Sequence, residues 1–376
     1  MNNELISIKT PGKLMFAGEW NILEPGHTCI SLAINRFAIV TATPAETWSL
    51  GSSLLPGRLI TFTWNVTTGF IITSSLDERE KKLLHMSTST IALSLSYLAE
   101  EDYAPSPTAL FIDSHDLYDA STQKFGFGSS AAITVALVKA LLTMAQHKDM
   151  SALTIFKLAY HAHYQAQGHC GSGFDIATAS QGASIVYQRP DPTWFKNELT
   201  RQDATLHELI TQPWPGLTIS PFNLPNNSFL NIGYSGASAQ TSPLISAIQH
   251  YKKNQPDNYR TIMHDLEQIV QALIVQCAAN TINSAQHLIR ANRYLLQKLA
   301  CNAGIQLETP SLKKLIAIAE SFGAAAKFSG AGGGDCGIAL GASQSTYQAI
   351  NNAWQQADIV PIFAQPLMLC AINIDI

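Results

Sequence analysis

One stretch restricts the architecture more than any other: Lys124-Phe125-Gly126-Phe127-Gly128-Ser129-Ser130-Ala131-Ala132, a glycine turn running straight into the apolar-rich segment Ile133–Met144. Glycine lets the backbone approach a ligand closely, and a helix beginning there points unpaired N–H groups outward. Such a helix start attracts anions, phosphates above all. Ser129 and Ser130 add hydroxyls, one of them suited to Mg²⁺. An ordinary glycine turn capped by serine has the same local sequence. No Lys-Ser/Thr pair follows the glycines, so this is not a Walker A loop, and the protein-kinase motif set is absent.

The rest of the chain supplies few charges to balance an anion. Of 376 residues, 46% are apolar and only 13% charged, with a net charge of −4. That excludes a disordered chain and a general nucleic-acid binder. Anionic ligands must therefore be held by a few local cations and backbone amides. The six cysteines have no CxxC or metal-like spacing, which suggests a reducing compartment. The first ten residues show no leader pattern, and the apolar run Ala131–Val138 is far short of the roughly 18–20 residues of a membrane span. These features lead us to expect a soluble cytoplasmic protein with no membrane or obligatory protein partner.

Alternation and turn residues predict strands at Ile6–Thr10, Leu14–Ala17, Thr28–Thr43, Leu59–Trp64, Phe111–Asp113, Ala183–Gln188 and Phe229–Tyr234. Further strands are expected near Ala325–Ser329, Cys336–Gly341 and Leu367–Ile374. Helical periodicity covers Leu76–Glu100, Ile133–Met144, Ser151–Gln167, Tyr259–Ala300 with a break near Asn280, and Ser311–Ser321. Strands and helices mix without strict βαβ alternation, which favours an α+β fold in two associated domains. The loop-rich stretch 190–228 separates them, and the expected division is 1–200 and 201–376.

Two more glycine clusters flank the first. Lys327-Phe328-Ser329-Gly330-Ala331-Gly332-Gly333-Gly334-Asp335-Cys336-Gly337 packs five glycines into eleven residues between two strands. That density suits close backbone approach to a ligand, although a tight hairpin with Asp335 as its cap would also use it. Pro11-Gly12-Lys13-Leu14-Met15-Phe16-Ala17-Gly18-Glu19-Trp20 places Lys13 at a strand start, where its ammonium reaches either a cleft or solvent. Gly171-Ser172-Gly173-Phe174-Asp175 puts an acid just inside a helix or turn, a position that acids also occupy for the helix dipole alone.

Taken together, Pro11–Glu19, Gly126–Ala132 and Lys327–Gly334 resemble, in order and spacing, the three motifs of the GHMP kinase superfamily. The segments Gly12–His27, Lys124–Ser130 and Ser329–Leu340 are most similar to the bacterial-type phosphomevalonate kinase branch, with Trp20 where that branch usually has tyrosine. The resemblance implies two α+β domains, the first like domain 2 of ribosomal protein S5 and the second ferredoxin-like. It implies ATP and Mg²⁺ as cofactors and a small phosphorylated molecule, (R)-5-phosphomevalonate, as acceptor. By the same resemblance Lys13 and Asp175 are catalytic. Gly126, Phe127, Gly128, Ser129, Ser130 and Ala131 wrap the nucleotide phosphates, with Ser129 and Ser130 toward the metal. Lys13, Glu19, Trp20, Lys124, Ser172, Thr241, Ser329, Ala331 and Gly332 face the acceptor.

One departure separates the chain from mevalonate kinases, which carry a metal-binding glutamate about eleven residues before the acid matched by Asp175. Tyr164 stands there, and 162–173 holds no carboxylate. The rival readings are a GHMP kinase with an alcohol acceptor, a diphosphomevalonate decarboxylase and a ligand-sensing pseudokinase. His161 and His163, two apart on a helix, do not share a face as zinc ligands would.

Overall fold

In a computed structural model the described residues are 5–119, 121–169, 171–238 and 241–368. Among them the first sheet contains Ile6–Ala17 (β1), Thr28–Pro44 (β2), Trp48–Ser52 (β3), Leu59–Asn65 (β4), Gly69–Ile72 (β5), Thr108–Asp113 (β6), Ile185–Gln188 (β7) and Thr218–Pro221 (β8). The strand order is β5-β4-β3-β6-β2-β7-β8, with β1 on the other side of β2. The two strands expected over 6–17 are one, because a register shift between Pro11 and Gly12 absorbs the proline without ending the pairing. β3 and β5 escaped the sequence reading, being only five and four residues long.

Helices Glu78–Glu100 (α1), Ser129–Met144 (α2), Ala152–Ala166 (α3), Phe174–Gln181 (α4), Pro192–Thr200 (α5) and Leu206–Thr211 (α6) belong to this half. Asp77 and Glu80 form a reciprocal capping box at the start of α1. α1, α2 and α3 bury Leu95, Val135 and Phe156 in one core with Val40, Leu110 and Ile185 of the sheet. The α2 helix is buried nearly all round, as its composition of Ala, Val and Leu requires.

The second half pairs Phe229–Tyr234 (β9), Ala325–Phe328 (β10), Cys336–Gly341 (β11) and Val360–Ile362 (β12) in the order β10-β11-β9-β12. Its helices are Thr241–Asn254 (α7), Pro256–Ala278 (α8), Ile282–Ala303 (α9), Pro310–Ser321 (α10) and Gln344–Gln356 (α11). The expected break near Asn280 is the turn between α8 and α9. Pro366–Leu367 (β13) then returns to pair with β2 in the first sheet. Of the strand expected over 367–374, residues 369–374 lie outside the described residues. Residue 200 closes α5, and β8 still pairs with β7, so sheet membership changes only after residue 221.

The halves share a core. Leu14 and Phe16 of β1 and Ile30 and Leu32 of β2 pack with Ile232, Val270, Leu273 and Ile338. Polar contacts reinforce the junction: Glu267 of α8 accepts hydrogen bonds from Asn21 Nδ2 at 2.7 Å and from the Thr28 amide at 2.9 Å. Lys252 and Tyr259 both bind Glu24 at 2.7 Å. Beneath them Lys327 of β10 pairs with Glu19, both side chains wholly shut away from solvent, while its Nζ also donates to the Phe328 and Phe16 carbonyls at 2.9 and 3.3 Å. Burial pushes the Glu19 carboxyl up and the Lys327 amine down, each opposed by the other's charge.

A buried pair of this kind adds little net stability over apolar residues, but losing one partner strands a charge. Urea unfolding should therefore show Glu19→Gln or Lys327→Met losing about 3–5 kcal/mol, with most of the loss recovered in the double variant Glu19→Leu/Lys327→Met. Partial burial alone would raise the Glu24 pKa, but the bonds from Lys252 and Tyr259 outweigh it and hold the group low. Its contribution is thus complete above the ordinary carboxylate value and is lost as pH falls through the lowered one. Glu24→Gln should flatten the acid limb of the stability profile measured by thermal melting.

Candidate active site

The glycine turn before α2 is built on two left-handed residues, Gly126 at φ 82° and Gly128 at φ 72°. Between them the chain bends around β1. The Lys13 amide donates to the Phe127 carbonyl at 2.9 Å, and the Lys13 ammonium donates to the Gly126 carbonyl at 2.9 Å. A side chain at Gly128 would bring a Cβ within 3.1 Å of Lys13 Cε and 3.5 Å of Asp175 Cβ. Lys13 and Asp175 therefore both border Gly128.

Asp175 sits in the first turn of α4, where the Ile176 amide donates to its Oδ1 at 3.0 Å. Gly173, left-handed at φ 77°, precedes the helix because a Cβ there would lie 2.2 Å from the Tyr160 ring. Phe174 places its ring 5.3 Å from the Lys13 ammonium. The lysine is thus fixed by one carbonyl on its backbone amide, another on its ammonium, and an aromatic face.

No side chain caps α2 at Gly128, so its leading amides are open to a ligand. Beside them a cavity of about 760 Å³ is lined by Ser129, Ser130, Lys124, Tyr118, Ile133 and, from α1, Arg79, Lys82 and Met86. This size suits a nucleotide-sized ligand, with cations and amides at one end and apolar side chains along a wall. Tyr118 lies with its hydroxyl 3.3 Å from Ser129 Oγ, and His163 Nε2 lies 3.2 Å from Ser130 Oγ. Burial pushes the His163 imidazole below its ordinary value; Asp175 opposes this and Lys124 adds to it.

The third glycine loop closes over the first. A Cβ on Gly126 would come within 2.7 Å of the Asp335 carboxyl, and the Cys336 thiol donates to the Phe125 carbonyl at 3.2 Å. Gly333 donates to the Leu307 carbonyl at 2.7 Å, and a side chain at Gly332 would meet that same oxygen at 2.8 Å. The Ser329 hydroxyl is spent on the Met15 carbonyl at 2.9 Å. Ala331 is half-buried in the same loop.

Lys13, Gly126–Ala131, Asp175 and Lys124 are brought together by the fold. Lys124 has an exposed side chain on the cavity rim, with its carbonyl 3.4 Å from Ser238 Oγ. Ser172 is buried next to Gly173, its carbonyl accepting from Tyr187 at 2.7 Å. Glu19 and Trp20, expected against the acceptor, are instead interior: Glu19 is neutralised by Lys327, and Trp20 packs with Ile248, Tyr251 and Ile262. Thr241 is exposed at the first position of α7, and among the described residues no hydrogen bond ties it to the cluster. The sequence reading missed Tyr118, Arg79 and Lys82. Arg79 and Lys82 sit on a helix whose surface carries many polar residues, so nothing in their pattern marks them.

The residues present fit a nucleotide with a magnesium ion. Magnesium keeps much of its water and takes only one or two protein ligands beside phosphate oxygens. Two serine hydroxyls at the open end of α2 meet that need without an acidic cage. Among the described residues there is no group of three or more His, Cys, Asp or Glu able to hold a metal.

Comparison with known proteins matches residues 98–183 to the GHMP kinases N terminal domain and 270–359 to the GHMP kinases C terminal domain. A phosphomevalonate kinase from Streptomyces sp. (strain CL190) is 29% identical over 95% of this chain and 96% of its own length. One from Saccharolobus solfataricus is 33% identical over 63% of this chain and 66% of its own. Among solved structures, a Listeria innocua protein superposes with a TM-score of 0.88 at 31% identity, covering 96% of this chain and 98% of that one. Streptococcus pneumoniae phosphomevalonate kinase with phosphomevalonate and AMPPNP shares the fold, with a TM-score of 0.81 at 24% identity over 96% and 100% of the two chains. With both domain models matched in order and relatives aligned along almost its whole length, this chain belongs to the GHMP kinases.

Proposed function

We infer that the chain transfers the terminal phosphoryl group of ATP to the phosphate of (R)-5-phosphomevalonate, giving the 5-diphosphate and ADP, a step of the mevalonate route to isoprenoids. The observation that carries the chemistry is the fixed Lys13 ammonium, clamped to the Gly126 carbonyl beside the open amides of α2. The Streptomyces relative, aligned end to end, supports the acceptor.

The acceptor is a phosphomonoester with a second pKa of about 6, so at neutral pH it is already mostly dianionic. Little is gained from a general base. The barrier is repulsion between two anions, and phosphoryl transfer is catalysed mainly by positioning and charge neutralisation. Lys13, clamped to the turn, neutralises the transferring group. Asp175, which also borders Gly128, acts on that ammonium through its charge. Lys124, on the rim, meets the incoming phosphate, with Ser172 beside it. Gly126–Ala131 supply the amides that hold the nucleotide phosphates. Ser129 and Ser130 would hold a magnesium ion, which when bound would neutralise phosphate charge. As the acceptor oxygen bonds to the γ-phosphorus, the bond to the bridging oxygen breaks and its electron pair leaves with ADP.

We place the domain division in 222–228, between the last strand of one sheet and the first of the other. Among the described residues no helix is long and apolar enough to cross a membrane, and Cys29, Cys277, Cys301 and Cys336 are free thiols. The free thiols support a reducing, cytoplasmic location.

A coupled ADP assay over phosphomevalonate, mevalonate, homoserine and diphosphomevalonate tests the acceptor. Turnover confined to phosphomevalonate is expected, and turnover with mevalonate alone overturns the assignment. With saturating phosphomevalonate, Lys13→Met and Lys124→Met should lower kcat on the order of 10²–10³-fold, and Asp175→Asn should lower it less. An Asp175→Asn protein that is dead while both lysine variants work would refute charge neutralisation as the main effect. Gly128→Ala, which crowds Lys13 and costs about 1–2 kcal/mol of backbone strain, should lose activity with only a modest drop in melting temperature.

A further inference from the structure

His163 has no role in the chemistry just described, yet it is held in the middle of it. It lies on α3 and is only 5% exposed. Its Nε2 has two polar neighbours, Ser130 Oγ and Gln167 Nε2, each at 3.2 Å. The amide nitrogen of Gln167 has only hydrogens to offer, so Nε2 is the acceptor, carries no proton of its own, and shares its single lone pair between the Gln167 amide and the Ser130 hydroxyl. The Ser130 hydroxyl can then bond to that lone pair only by donating its hydrogen. With its single proton committed to the ring, Ser130 presents only oxygen lone pairs to the cavity it lines.

That fixes the chemistry of the hydroxyl. A free serine at a helix N-terminus can turn its O–H toward a phosphate oxygen or its lone pairs toward a cation. Ser129, paired with a tyrosine hydroxyl that can serve as donor or acceptor, keeps both options. Ser130 does not. We propose that His163 is a positioning residue that takes the Ser130 proton and so holds the serine oxygen in the orientation that receives a divalent cation. The ring thereby stands in, one step removed, for the carboxylate that 162–173 does not contain. This rests on the placement of the nucleotide and its metal at the head of α2.

The test is calorimetric titration of ADP into the intact protein with and without Mg²⁺, read as the factor by which the ion tightens binding. Ser130→Ala should cut that factor about tenfold, and His163→Leu should cut it by a similar amount. Because the two residues act through one hydroxyl, the double variant should be no worse than Ser130→Ala alone. His163→Gln, whose amide oxygen reaches the place of Nε2, should restore the magnesium-dependent gain. His163→Asn, too short to reach, should not, and it takes the place of His163→Leu in the cycle if the leucine variant fails to fold. Losses that multiply in the double variant, or a glutamine variant no better than leucine, overturn the role given to His163. A Ser130→Ala protein that binds ADP like the wild type under both conditions overturns the underlying placement of the nucleotide, and this proposal with it.

Discussion

The ion pair between Glu19 and Lys327 is the contact on which the arrangement of the site depends. It is made deep inside the molecule by two residues that the sequence separates by most of its length. One stands at the end of β1, the strand that carries Lys13, and the other begins the third glycine loop. With Ser329 bonded to the Met15 carbonyl, the pair presses that loop against β1. From there Asp335 reaches Gly126 and Cys336 reaches Phe125. An apolar pair of equal volume would hold the halves together about as well, but with less orientation. The charges specify which atoms of the two halves face one another.

The same frame explains how a chain poor in cations handles polyanions. The positive charge closest to the glycine turn is held by something other than a salt bridge. Lys13 rests on carbonyls and an aromatic ring, and the α2 amides are fixed by the helix itself. Groups held in this way need little reorganisation when charge develops, which is where preorganised dipoles outdo mobile ones. Asp175, a negative group among them, borders Gly128 on the same side as the lysine's stem.

Much of this was readable from residue types. Gly126 and Gly128 before a run of Ala, Val and Leu announce an amide-lined helix start, and their left-handed backbone bears out why glycine stands there. The long helices and the strands bordering the third loop follow from periodicity. What could not be read was partnership across the fold. Glu19 and Trp20 look like polar and aromatic cleft residues until Lys327 and the α7–α8 helices cover them. The closeness of Asp335 to Gly126 requires two loops from different sheets to meet. The stretch 201–217 has the composition of a linker, and its place is legible only where Leu209, Ile210 and Trp214 pack into the first core and the β8 strand after it pairs with β7.

The short return of the chain as β13 has one more implication. Ala33 of β2 pairs with Lys13 on one side and with Leu367 on the other. The second half is therefore an insertion, framed on both ends by strands of the first, and the closing strand lies one chain away from Lys13. Recombining halves between relatives by a single splice after β8 would import a foreign closing segment along with the foreign half. Two crossover points, one on each side of the insertion, are needed to exchange it while leaving the backing of Lys13 native.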